Sequence, residues 1–145
     1  MVKTILVVED NEKNMILMRD VLQYYGYVVI TALNGEEGVH MAREHQPDLT
    51  FMDIQMPVMD GYTAIKIVRN DPDLQDMKIV ALTSFAMSGD RELLLAAGFD
   101  GYLAKPLDIR QLPGIISKYL GEKQESPSLQ ASSGAVKRAA SKSRE

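Results

Sequence analysis

Four short apolar runs mark this chain, and each ends in a group that can do chemistry. Lys3-Thr4-Ile5-Leu6-Val7-Val8 runs into Glu9 and Asp10, and Asp48-Leu49-Thr50-Phe51-Met52 runs into Asp53. Lys78-Ile79-Val80-Ala81-Leu82 meets the hydroxyls Thr83 and Ser84, and Gly101-Tyr102-Leu103-Ala104 meets Lys105-Pro106. The first run is continuously β-branched or leucine, as befits a strand covered on both faces. Residues 27–32 read as a further strand. Between the runs, apolar side chains recur at helical spacing. Met15, Met18, Leu22 and Tyr25 fall on one stripe within residues 11–25, and Gly26 follows as a terminating cap. Asn34-Gly35 turns the chain into a helix over residues 36–45, closed by Pro47.

The remaining pattern predicts strands at 48–53, 77–83 and 100–104. Helices are predicted at 62–70, at 89–97, and from a cap at Asp108 to about residue 120. Five strand–helix alternations imply an α/β fold: a doubly wound, five-stranded parallel sheet with helices on both faces. Ligands of such sheets sit beyond the carboxyl ends of the strands. Glu9, Asp10, Asp53, Thr83 and Lys105 are therefore expected to meet at one edge.

Composition narrows the class. The chain has 145 residues, 46% of them hydrophobic, a net charge of −4 and no cysteine. One main domain is expected, with neither disulfides nor thiolate metal sites. No apolar run approaches the ~18 residues that span a bilayer, and no signal peptide opens the chain. A cytoplasmic protein without membrane contact is the expectation. Residues 1–121 hold 11 basic and 17 acidic side chains, a net of −6, whereas residues 122–145 hold 5 and 3, a net of +2. An acidic folded part argues against direct nucleic-acid binding. Residues 122–145 are rich in Ser, Ala, Lys and Glu, with Leu129 and Val136 their only large aliphatics. That composition cannot offset its ordering entropy and reads as a disordered tail.

Each candidate residue has a plain alternative. Asp10 or Asn11 could cap the following helix, Thr83 and Ser84 could cap another, and Lys105 could be a solvated loop lysine. Asp53 resists such a reading, because a carboxylate closing a buried strand is costly unless paired or metal-bound. Together the residues suit one chemistry. Asp10 and Asp53 on neighbouring strands repel unless a cation lies between them. Magnesium prefers such oxygen ligands and needs only one or two carboxylates beside a phosphate. Asp53 can then act as a nucleophile and form an acyl phosphate. Lys105 and Thr83 can contact the phosphoryl oxygens.

Val7-Val8-Glu9-Asp10-Asn11, Met52-Asp53-Ile54-Gln55-Met56-Pro57, Ala81-Leu82-Thr83-Ser84 and Tyr102-Leu103-Ala104-Lys105-Pro106 resemble the motifs of two-component response-regulator receiver domains. The resemblance covers residues 3–120 and is nearest the single-domain DivK-like regulators. It implies the flavodoxin-like receiver fold over residues 1–121, with strand order 2-1-3-4-5. It implies that a histidine kinase or histidine phosphotransfer protein phosphorylates Asp53. The Mg2+ ligands it implies are Asp10, Asp53, the Gln55 backbone carbonyl and, through water, Glu9. Thr83 and Tyr102 match the switch pair, Lys105 the phosphate-contacting lysine, and Pro106 a cis-proline.

No output domain is evident after residue 120, so signalling is expected through a changed protein-binding surface formed by residues 89–97, Tyr102 and residues 108–120. Of the consecutive Leu93, Leu94 and Leu95, at least one should be exposed if the helix packs along one face; a wide buried stripe is the alternative. Phe85 is expected to shield the acyl phosphate. No reaction beyond self-phosphorylation and autodephosphorylation is expected, from a monomer or weak dimer. An aspartyl-phosphate hydrolase would need an acid where Gln55 stands, and an electron carrier of this fold a hydroxyl-rich loop where Glu9-Asp10-Asn11-Glu12 stands. A receiver excised from a hybrid kinase would share the same chemistry. His40 and His45 read as surface residues far from the site.

Overall fold

Side chains alternate across the sheet, and this alternation builds two cores. The structure, a computed structural model, describes residues 2–84 and 88–121, without the side chains of residues 88 and 89. Phe85 and the 122–145 segment lie outside the described residues. Five strands form one parallel sheet: β1 (Thr4–Val8), β2 (Val28–Ala32), β3 (Leu49–Asp53), β4 (Lys78–Thr83) and β5 (Gly101–Ala104). Their order is β2-β1-β3-β4-β5, the doubly wound arrangement expected. The helices are α1 (Glu12–Tyr24), α2 (Gly35–His45), α3 (Gly61–Arg69), α4 (Ser88–Ala97) and α5 (Leu112–Leu120).

Ile5 and Val7 of β1, Leu49 and Phe51 of β3, and Leu103 of β5 face one side, where Met18 and Leu22 of α1 and Leu112 and Ile116 of α5 cover them. Leu6, Val8, Met52, Ile79 and Ala81 face the other side, against Val39 of α2, Ile65 and Val68 of α3, and Leu94 of α4. Each such aliphatic side chain contributes roughly 1.5–3 kcal/mol by leaving water, so the sheet requires helices on both faces. No helix among the described residues is long and apolar enough to cross a membrane.

Local chemistry sets the boundaries. Asn11, Asn34 and Asp60 cap α1, α2 and α3, their side chains accepting from the N–H groups of Asn14, Glu37 and Thr63. Gly35 is thus the first residue of α2 and not part of a preceding turn. Gly26 follows α1 at φ +95°, a conformation suited to glycine. The last helix differs from expectation. Asp108 caps a short 3-10 turn (Ile109–Gln111), and α5 starts anew at Leu112. Pro113 explains the break, since a proline fits the first turn of a helix but not its interior.

The end of the sheet opposite the strand carboxyl ends is tied together by Arg69 of α3. Its guanidinium donates to Gly98 O (2.7 and 3.0 Å), Gln75 O (2.9 Å), Met77 O (2.6 Å) and Asp100 Oδ2 (3.0 Å). Asp100 Oδ2 also accepts from Ile79 N–H at 2.8 Å, and Asp100 O accepts from the Tyr119 hydroxyl at 2.8 Å. Arg69→Ala strands the partly buried acceptors of Met77, Gly98 and Asp100. It is expected to cost about 2–3 kcal/mol, read as a lowered urea midpoint.

Candidate functional site

Pleat parity decides which strand-end groups look inward together. Glu9 continues the series Ile5, Val7; Asp53 continues Leu49, Phe51; and Lys105 follows Leu103 by two positions. All three therefore leave the sheet on the side of α1 and α5. Lys105 reaches them because β4 and β5 stay paired past the strand end, with Lys105 N–H donating to Thr83 O at 2.8 Å. The Lys105–Pro106 peptide bond is cis.

The resulting cup is compact. Lys105 Nζ lies 2.8 Å from Asp53 Oδ2 and 2.9 Å from Glu9 Oε1, and it donates to Glu9 Oε2 at 3.3 Å. Asp53 Oδ1 accepts from the Gln55 N–H at 3.1 Å, and Glu9 Oε2 accepts from the Asn11 N–H at 3.1 Å. Glu9 is wholly buried, Asp53 is 4% exposed, and Asp10 is exposed at the mouth. Oxygens of Glu9, Asp10 and Asp53 lie within 4.8 Å of one another.

Electrostatics follow from this crowding. Burial pushes Glu9 up to about 7, helped by its hydrogen bond with Asp53; the bonds from Lys105 and Asn11 oppose the rise. Burial alone would lower Lys105, but hydrogen bonds to Asp53 and Glu9 outweigh it and hold the ammonium above its usual range. Glu9 Oε1, although ion-paired, has no hydrogen-bond donor of good geometry among the described residues. A buried carboxylate oxygen without a donor, beside two further carboxylates, fits a hard divalent cation that takes oxygen ligands.

The plain alternatives can now be weighed. Asn11 is the cap of α1, which leaves Asp10 at the cup. Thr83 is the buried last residue of β4, and α4 starts only at Ser88. The Lys105 side chain is 15% exposed between two carboxylates, so it is no solvated loop lysine. Thr83 and Tyr102 belong to the other face: Thr83 continues the series Ile79, Ala81, and Tyr102 packs with the α2–α4 core. A cavity of about 280 Å³ opens there, lined by Ile54, Gln55, Tyr62, Thr83 and Leu94 among others. Phe85 lies outside the described residues. His40 is exposed on α2, its Nε2 3.9 Å from Glu44 Oε1.

Two features were not foreseen. Val58, 77% exposed, adopts φ +69° in the loop after Asp53, a left-handed conformation that costs a β-branched residue about 1–2 kcal/mol. No sequence signal marks it. The second is the role of Gly35, whose N–H donates to Met59 O in that same loop at 2.9 Å. The Asn34-Gly35 pair was visible, but its contact with a loop more than twenty residues away was not.

The chain matches the family model described as the response regulator receiver domain over residues 5–117. It therefore belongs to the response-regulator receiver family. Among curated relatives, the polar-differentiation response regulator DivK of Brucella anthropi is 41% identical over 122 residues, covering 84% of this chain and 99% of that protein. A solved receiver domain of the sensor histidine kinase PA1611 from Pseudomonas aeruginosa, with a magnesium ion coordinated in its active-site cleft, is 36% identical. It superposes with a TM-score of 0.77 over 84% of this chain and 100% of that one. The co-crystal structure of the Saccharomyces cerevisiae histidine phosphotransfer protein Ypd1 with the receiver domain of Ssk1 contributes a match at 30% identity. Its TM-score is 0.76, over 81% of this chain and 88% of that one.

The raised Glu9 predicts a pH dependence. An acid lifted from 4.5 to about 7 on folding contributes stability below pH 4.5, and loses it as pH rises through 7. In metal-free buffer the urea midpoint of wild type should fall over this window more steeply than that of Glu9→Gln. Cation binding, which favours the ionised form, should tighten over the same window in calorimetric titrations.

Proposed function

We propose that this chain is a single-domain response regulator whose Asp53 accepts a phosphoryl group from a histidine kinase or histidine phosphotransfer protein. The observation that carries the reading is the placement of Asp53: buried at the sheet's carboxyl edge, bonded to Lys105 and flanked by Glu9 and Asp10. Residues 1–121 form the receiver domain in this reading, and 122–145 a tail outside it. The setting is cytoplasmic, and the acceptor turns over no substrate beyond its own acyl phosphate.

In the transfer, a carboxylate oxygen of Asp53 attacks the phosphorus of a phosphohistidine. An O–P bond forms, the P–N bond breaks, and its electron pair returns to the imidazole, which takes up a proton. Water later cleaves the acyl phosphate to inorganic phosphate and carboxylate. Lys105 turns its ammonium to an incoming phosphoryl oxygen, and the Thr83 hydroxyl binds another. Asp10, Asp53, the Gln55 carbonyl and, through water, Glu9 would hold Mg2+. When bound, the metal neutralises charge on the phosphoryl oxygens.

Readout falls to the other face. Thr83, drawn towards the phosphoryl group, biases Tyr102 and α4. Leu93 and Leu95 are 61% and 44% exposed while Leu94 is buried, so α4 presents two leucines to solvent. With Tyr102 and residues 108–120 they form the surface that a downstream protein reads.

Acetyl phosphate with Mg2+ should add one phosphoryl group to wild type and none to Asp53→Asn, scored by intact mass. Failure of wild type to gain mass would refute the reading. On α4, Leu93→Arg and Leu95→Arg should keep stability within about 0.5 kcal/mol, whereas Leu94→Arg should unfold the chain. Partner capture by the phosphorylated protein should weaken in the first two; undiminished capture would remove this face from the reading.

A further inference from the structure

The loop joining β3 to α3, residues 54–60, bonds directly to Asp53. Gln55 N–H donates to Asp53 Oδ1 at 3.1 Å. Yet the loop does not rest in a relaxed course. Val58 sits at φ +69°, where the Met59 N–H turns back to Pro57 O at 2.7 Å, and its exposure leaves little packing to offset the strain. Residues in such conformations persist only where their surroundings over-determine them. Two contacts do so. One is local: Gly61 N–H donates to Ile54 O at 2.9 Å, and a Cβ on Gly61 would stand 2.6 Å from Asp53 O.

The other comes from a separate element. Gly35, at the start of α2, donates its N–H to Met59 O at 2.9 Å. A Cβ on Gly35 would overlap Met59 O and stand 3.0 Å from Met59 C and Cγ. Gly35 is not among the glycines with positive φ. Its own backbone would accept alanine, a better helix former. Glycine is required here by the loop, not by the helix.

We propose that Gly35 is a positioning residue for the phosphoacceptor site. By clamping Met59 it holds the strained loop in the course that sets the Gln55 amide against Asp53. The inference rests on Asp53 being the acceptor. It makes the first turn of α2, which touches no reacting group, a determinant of how fast the site works and how tightly it takes its cation.

Gly35→Ala in the full chain tests this. The acetyl phosphate reaction at saturating donor should slow about tenfold, and the calorimetric Mg2+ Kd should weaken about tenfold. Leu74→Ala, a core truncation at the opposite end of the sheet, is the control: it should lower the urea midpoint while leaving both values at wild type. A Gly35→Ala protein that loses stability like the control but keeps rate and Kd would overturn the proposal. Should Gly35→Ala fail to fold, amide exchange in wild type decides. Mg2+ should slow exchange at the Gln55 and Gly35 amides by the same factor; an unresponsive Gly35 amide refutes the link. Failure of the acceptor reading is separately visible, because wild type would then gain no phosphoryl mass.

Discussion

Everything at the carboxyl edge of this sheet answers to one problem, the confinement of several carboxylates in little space. Two like charges about 4 Å apart repel by roughly 4 kcal/mol at an effective dielectric of 20. Lys105 meets part of this by pairing with both Asp53 and Glu9. Protonation meets another part, since Glu9 is lifted to about 7. What stays unmet is a fully buried Glu9 oxygen that, though ion-paired, has no hydrogen-bond donor of good geometry among the described residues, and an exposed Asp10 at the mouth. Crowded carboxylates of this kind have an affinity for positive charge. In the proposed reaction that affinity is directed at a cation, and the same lysine turns from carboxylate to phosphate.

Sheet parity divides labour. Glu9, Asp53 and Lys105 leave on the α1/α5 side, while Thr83 and Tyr102 leave on the side of α2, α3 and α4. Residues adjacent in the pleat therefore serve opposite faces. In the proposed reading Asp53 and Lys105 hold the phosphoryl group from one face, and Thr83 and Tyr102 pass its presence to the other.

Much of this was legible in the residues. Strands buried on both faces leave continuous apolar runs, so β1, β3 and β4 announced themselves, and the rule that ligands gather at strand carboxyl ends brought Asp53 and Lys105 together. Leu93-Leu94-Leu95 correctly warned of exposed apolar surface, though not that two of the three would be exposed. Other features were hidden for physical reasons. Val58 has no composition that marks a left-handed valine. Arg69 bonds mostly to backbone carbonyls, which every residue carries, so side-chain types could at best have suggested its one pairing with Asp100. Gly35 looked like turn punctuation because its reason for being glycine lies on another loop. Pro113 did signal the split at Leu112, but the Asp108 cap masked it.

Arg69 also bears on motion. Its guanidinium staples the carboxyl end of α4, at Gly98, to the entries of β4 and β5, far from the acidic cup. Midway along the same helix Leu94 is buried in the core, while Leu93 and Leu95 face outward. If the proposed signal pushes this helix near Thr83, the Arg69 contacts at its carboxyl end would act as a pivot. The leucines on its outer side would then be carried through an arc, while the Arg69 contacts and the buried Phe99 keep the far end in place.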